Sequence, residues 1–170
     1  MIRKAEQKDV RAIIEIIKSV HIKNINNKDN GFLASEDLSE ISYSRMVRDY
    51  EYCYICEVEN NVIGFLIASS KELMDKGSEI YSFLNTDSSE DFIYIFQIGI
   101  SPNFQRKGMG ALLYKQLFKD ARIKKFRVIT SKDPFNNASR KLHQKLGFKE
   151  IGVFRWSDGV ESYVYNLELK

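Results

Sequence analysis

The run at residues 92–100, Phe-Ile-Tyr-Ile-Phe-Gln-Ile-Gly-Ile, restricts the fold of this chain more than any other stretch. A strand so apolar on both faces has to sit inside a sheet, covered by other structure above and below. It runs into a short turn at 101–107, and the spacing then predicts a helix over 109–121. Leu113, Leu117 and Ala121 form one row of that helix, with Tyr114 and Phe118 beside it.

The remaining segments supply the layers around this unit. Ile2-Arg3-Lys4-Ala5 is a short strand, and Asp9 is placed to cap a helix carrying Val10, Ile13, Ile14 and Ile17 on one face. Residues 24–31 read as an asparagine-rich loop, and a second helix is expected over 36–49 with Tyr43, Met46, Val47 and Tyr50 as its buried stripe. Strands at 53–58 and 62–69 are linked through Asn60-Asn61, which tolerates the positive φ of a tight turn. The stretch 71–91 reads as a long polar connection ending in Asp87, Glu90 and Asp91. Beyond the 109–121 helix come a strand at 126–130, a helix over 136–146 stopped by Gly147, and strands at 148–155 and 160–169 about Ser157-Asp158-Gly159. The order β-α-α-β-β-β-α-β-α-β-β predicts a mixed sheet with helices on both faces.

A length of 170 residues, 44% apolar and 29% charged, suits a soluble globular chain with one domain over 1–170. No run of ~18 apolar residues is present to span a membrane. The opening Met1-Ile2-Arg3-Lys4-Ala5-Glu6 turns polar too early for a signal peptide, so the expected location is the cytoplasm. The net charge of +3, interspersed with acids, argues against a nucleic-acid partner. Arg122, Lys124, Lys125 and Arg127 read as a solvated connection. Cys53 and Cys56 fall in a strand-like stretch, where residues three apart point to opposite faces and can share neither a metal nor an easy disulfide. With His21 and His143 the only histidines and no second C-x-x-C, no metal site is expected.

The turn after the apolar run carries chemistry. A strand that ends where a helix begins aims the free N–H groups of the first helical turn, and the positive end of its dipole, at one spot suited to an anion. Gly108 and Gly110 let phosphate oxygens reach the backbone, while Arg106 and Lys107 add charge at the rim. No Lys-Ser or Lys-Thr follows the glycines, and position 113 is leucine, so neither the Walker A loop nor the dinucleotide fingerprint fits.

Gln105-Arg106-Lys107-Gly108-Met109-Gly110 resembles the Q/R-x-x-G-x-G/A signature of the GNAT superfamily of N-acetyltransferases. The segment 136–148, Asn-Asn-Ala-Ser-Arg-Lys-Leu-His-Gln-Lys-Leu-Gly-Phe, is similar to that family's N-x-x-A/S-x-x-x-Y-x-K-x-G-F block. The opening Ile2-Arg3-Lys4-Ala5 with Asp9-Val10 is similar to family openings, so the likeness spans nearly the whole chain. It implies an α/β (α+β) fold with a mostly antiparallel sheet of about six to seven strands. Four helices flank that sheet, and its fourth and fifth strands splay into a cleft. It also implies an enzyme that moves the acetyl group of acetyl-CoA directly onto a primary amine of a small molecule or peptide. The alternative is a catalytically silent acyl-CoA-binding sensor.

Residue by residue, the resemblance puts the coenzyme pyrophosphate on Gln105, Arg106, Lys107, Gly108, Met109, Gly110 and Ala111. The pantetheine arm falls on the main chain of Ile98, Gly99 and Ile100, with Gly99 suited to the bulge. Asn136, Ser139 and His143 share a helix face at i, i+3 and i+7, with Ala138, Leu142 and Leu146 expected toward the core. Asn136 and Ser139 then contact pantetheine or phosphate. His143 stands where many relatives have tyrosine, as candidate acid for the leaving thiolate. The strand offers Tyr94, Phe96 and Gln97 but no carboxylate base, leaving a water relay or Glu57. Glu72, Asp75, Glu79, Asp87, Glu90 and Asp91 could form an acidic lip that draws a cationic amine. The final hairpin offers strand edges, compatible with a monomer or a homodimer.

Overall fold

The computed structural model describes residues 1–25, 39–86 and 89–170. Its strands are β1 (Ile2–Lys4), β2 (Tyr52–Val58), β3 (Asn61–Ser70), β4 (Ile93–Ile100), β5 (Lys125–Ser131), β6 (Lys149–Arg155) and β7 (Glu161–Glu168). They form one seven-stranded sheet in the order β1-β2-β3-β4-β5-β7-β6. Neighbours are antiparallel except β4 and β5.

The parallel pair is short. β4 and β5 meet only at Ile93–Phe126, Tyr94–Arg127 and Ile95–Val128. Beyond Ile95 the two strands part and leave a cleft, as the resemblance implies. On its other edge β4 pairs Ile95 with Ala68 and Gln97 with Ile67, so Phe96 is the extra residue of a bulge. The bulge is therefore at Phe96, where Gly99 was expected. Gly99 stays in register with Phe65, and a Cβ there would lie 2.6 Å from the Phe65 ring. Its small size serves close packing.

Two faces of the sheet bury different stripes of the alternating strands. Helix α1 (Val10–Val20) and helix α2 (Glu40–Asp49) cover Ile55, Phe65 and Ile67 with Val10, Ile13, Ile17 and Tyr43. Helix α4 (Met109–Asp120) and helix α5 (Asn137–Lys145) lie on the opposite face, where Leu113, Tyr114 and Leu117 pack on Tyr54, Leu66, Ile95 and Phe126. Each fully buried Ile or Leu contributes about 1.5–3 kcal/mol. Cys53 joins the first layer and Cys56 the second; both are free thiols, and burial pushes Cys53 up to about 12.

Several expectations shift. The stretch 71–91 contains helix α3 (Glu79–Leu84), making five α-helices among the described residues where four were expected. Ile80 and Leu84, one turn apart, pack with Met74 against Phe92, Tyr94 and Val164, so the stretch is a packed element. Arg127 is buried, correcting its reading as solvated: its guanidinium donates to the Leu84 carbonyl, meets Glu90 at 2.9 Å and lies 4.3 Å from the Phe92 ring centre. Lys124 donates to the Phe118 and Ala121 carbonyls at the end of α4. Asp9 turns back instead of capping α1, accepting from the Glu6 N–H at 2.8 Å and from Arg3 at 2.7 and 3.0 Å. The first hairpin turns on Glu59 and Asn60, both at positive φ, one position earlier than expected. The asparagine-rich loop beyond Ile25, the first turn expected of the second helix and Asp87 lie outside the described residues.

Candidate active site

The site begins on the free edge of β4. Ser101 N–H donates to the Ile63 carbonyl at 2.8 Å, and by alternation Gly99 and Gln97 also face β3. Ile98 and Ile100 thus turn their peptide groups toward the cleft. The Gln105 amide reaches the Ile100 carbonyl from that side, at 3.1 Å. Gln105 therefore braces the strand end, and its side chain is not directed at the turn's open side.

After a 3₁₀ turn at Pro102–Phe104 the chain reverses through Arg106 at φ 60° and Gly108 at φ 83°. Left-handed residues in such a turn gather successive N–H groups on one concave side. Helix α4 opens at Met109, and the first N–H to find a carbonyl of its own turn is Leu112, on Gly108 at 3.1 Å. The donors of Met109, Gly110 and Ala111 precede it and have no partner within the helix. A Cβ at Gly108 would meet nothing within 4 Å, so that approach is open, and Arg106 and Lys107 are exposed beside it. A Cβ at Gly110 would lie 3.1 Å from Leu142 and 3.7 Å from Ile98. At this point β4, α4 and α5 meet across the head of the cleft. The cradle of N–H donors, open space and flanking cations fits a pyrophosphate.

On the other wall Asn136 caps α5, its carbonyl oxygen accepting the Ser139 N–H at 3.0 Å. Ser139 Oγ lies 3.0 Å from Thr130 Oγ1, and both are 3.4 Å from His143 Nδ1. His143 Nε2 is 2.6 Å from the Tyr114 hydroxyl. His143 is fully buried between Tyr114, Phe148 and Tyr165, with ring centres 5.2–5.8 Å away. This corrects the expected partition of α5: His143 faces inward and Ala138 is exposed, because the ring fits a slot walled by three aromatic residues. Burial lowers the His143 pKa to about 4, so the ring is neutral at pH 7 and cannot hand an imidazolium proton to a thiolate.

Aromatic residues gather around the bulge. The Phe96 ring packs on Tyr50 at 5.7 Å and Tyr94 at 5.3 Å, and the Tyr43 hydroxyl donates to the Gln97 side-chain carbonyl at 2.9 Å. Thr130, Tyr114 and Tyr43 were not read as site residues in the sequence, since each looks like an ordinary strand or helix residue until the partner elements close on it. Glu57 stands two strands from β4 and is ion-paired with Arg3 at 2.9 Å, which removes it as a base. Glu90 and Asp91 precede Phe96 by five or six residues, roughly 16–20 Å along the strand. Glu90 is paired with Lys125 and Arg127, Asp91 with Lys71, and Glu79 accepts from Ser157. Of the expected acidic lip, Glu79, Glu90 and Asp91 are thus engaged within the protein.

The sequence model of the acetyltransferase (GNAT) family matches residues 20–148. The chain belongs to that family. GNAT proteins are acyl-transferring enzymes, and the splayed β4 and β5 with the turn at the head of α4 are this member's version of their cleft. No curated protein sequence matches significantly. An N-acetyltransferase from Staphylococcus aureus superposes with a TM-score of 0.68 at 22% identity, over 100% of this chain and 98% of its own. A GNAT acetyltransferase from Streptococcus agalactiae gives 0.71 at 14%, over 100% and 95%. The Drosophila melanogaster polyamine N-acetyltransferase, which forms N-acetylagmatine, gives 0.70 at 14%, over 99% of each chain. These likenesses establish a shared fold.

Proposed function

We propose that this protein transfers the acetyl group of acetyl-CoA directly to a primary amine of a small molecule or peptide. The observation that carries the reading is that one strand has both a free edge beyond Ile95 and, at its end, an open anion cradle at residues 105–111. A pyrophosphate held by the N–H groups of that cradle, with Arg106 and Lys107 alongside, leaves a pantetheine arm in line with the peptide groups of Ile98 and Ile100, while those of Gly99, expected to join them, turn to β3. Asn136 and Ser139 border the arm from α5. A main-chain N–H beside the Phe96 bulge is positioned to polarise the thioester carbonyl. Holding amine and thioester in one cleft supplies much of the acceleration. β4 carries no carboxylate, so the surplus proton of the amine passes to water. Neither buried cysteine is needed as a nucleophile.

The burial of His143 favours a second reading, a silent acyl-CoA-binding module. Titration calorimetry with acetyl-CoA and with ATP, followed by thiol release over a panel of amines, separates the possibilities. Acetyl-CoA binding with turnover supports the enzyme, binding without turnover supports the module, and preference for ATP overturns both.

A further inference from the structure

The side chains of Tyr114, His143, Thr130 and Ser139 form one connected chain from the core to the cleft wall. Among the described residues their mutual contacts are the only side-chain hydrogen bonds these four groups make. They hold four protons in their neutral forms: three hydroxyl protons and one on the imidazole. If the Tyr114 hydroxyl donates, the contacts use only three of them: one into Nε2, one from Nδ1 toward Thr130 and Ser139, and one between those two hydroxyls. That direction is required, because a Tyr114 hydroxyl that accepted from Nε2–H would leave its own proton unpaired at a site with no exposure. Tyr114 therefore donates to Nε2, which places the imidazole proton on Nδ1, facing Thr130 and Ser139. Thr130 is almost fully buried, so its proton goes to Ser139. One proton is left over, on the half-buried Ser139.

That proton faces the cleft. Thr130 lies two residues beyond Val128, where β5 has already parted from β4. Leu142, one turn after Ser139, lies beside Gly110 at the start of α4, where Ile98 of β4 also approaches. Accepting from Thr130 or His143 also makes Ser139 a better donor, since linked hydrogen bonds polarise one another.

We propose that Ser139 donates a hydrogen bond to the sulfur of the departing coenzyme, and that His143 is a positioning residue which keeps the Ser139 proton free to do so. This rests on the acetyl-transfer reading above. As the amine nitrogen bonds to the carbonyl carbon, the carbon–sulfur bond breaks and its electron pair leaves on sulfur. Ser139 stabilises that thiolate while keeping its own proton. The amine gives up one proton to water and the thiolate takes one from water, so the step balances.

The test needs no acceptor. Coenzyme A in its free-thiol form is bound to the protein, and its thiol is titrated by thiolate absorbance in wild type, Ser139→Ala, Ser139→Thr and Tyr114→Phe. A donor aimed at sulfur favours the thiolate, so the bound thiol should titrate about one pH unit lower in wild type than in Ser139→Ala. Ser139→Thr should restore most of that difference. Tyr114→Phe, which frees the imidazole to take the other tautomer, should fall between them. Coenzyme A affinity should change less than about threefold in Ser139→Ala, because the coenzyme is held mainly through its phosphates. Equal thiol titration in wild type and Ser139→Ala, with binding intact, overturns the relay and leaves the acetyltransferase reading standing. Failure of coenzyme A to bind wild type overturns both.

Discussion

Gly108 and Gly110 stand two positions apart and are glycine for different reasons. At Gly108 the backbone is left-handed with open space around it, so a side chain strains the turn and occupies the approach to the N–H cradle. Gly108→Val is expected to weaken acetyl-CoA binding at least about tenfold while circular dichroism stays unchanged. Gly110→Val presses on Leu142 instead and should lower the melting temperature together with affinity. Calorimetric titration and thermal melts of both variants check this, and normal affinity in Gly108→Val would remove the turn as the phosphate site. His143 gives a pH signature. Its folded pKa, about 4, lies below the ordinary 6.5, so between those values the unfolded chain binds the extra proton. Stability should rise with pH across that window by about 3 kcal/mol, be fully present above it and be lost as pH falls through 4. Urea unfolding at intervals from pH 4 to 7 measures the rise, which should shrink in His143→Gln. The position of His143 was legible from its spacing to Asn136 and Ser139. Its burial was not, because an i, i+3, i+7 pattern does not say which face turns inward; that is decided by Tyr114, on another helix.

At the scale of elements, long periodic segments were legible and short or irregular ones were not. Val10, Ile13, Ile14 and Ile17 announce α1 through their own spacing. Helix α3 has six residues, and its Ile80 and Leu84 make sense only against Phe92 just before β4, Tyr94 on it and Val164 on β7 near the C-terminus. The bulge at Phe96 was equally hidden, since it sits in an unbroken apolar run and depends on which residue of β3 lies opposite. What holds α3 down is Arg127 rather than a loop's own turns. Arg127→Met leaves the Leu84 carbonyl without its cationic donor and Glu90 with Lys125 alone, and we expect a loss of roughly 2 kcal/mol, below the value for a wholly buried pair because Glu90 is partly exposed and keeps one partner. Urea unfolding should register it, and hydrogen exchange should accelerate at 79–86 while α1 keeps its protection. Glu90→Gln should likewise cost stability and leave the apparent KM for a cationic amine unchanged at low salt. A clear rise in that KM would reinstate Glu90 as part of an acceptor-attracting lip.

Across the whole molecule the sheet is two blocks, β1 to β4 and β5 to β7, laced together by three residue pairs. The split follows from chain order, because the crossover through α4 starts a second block whose strands then pair among themselves. On the proposed function, a coenzyme lying in the cleft adds contacts where β4 and β5 no longer pair with each other. Bound coenzyme A should therefore slow hydrogen exchange in β5 and in α5 more than in α1 or β2, and uniform protection would argue against a cleft-bound arm. Linkage sets the size of the effect: ligand at a hundred times its Kd adds about 2.7 kcal/mol to the native state. Where a protease cuts only opened molecules, that is close to a hundredfold longer survival. If the proposed cosubstrate is bound there, the short lacing makes resistance to proteolysis depend on its concentration. Limited proteolysis across a coenzyme titration should trace that survival curve.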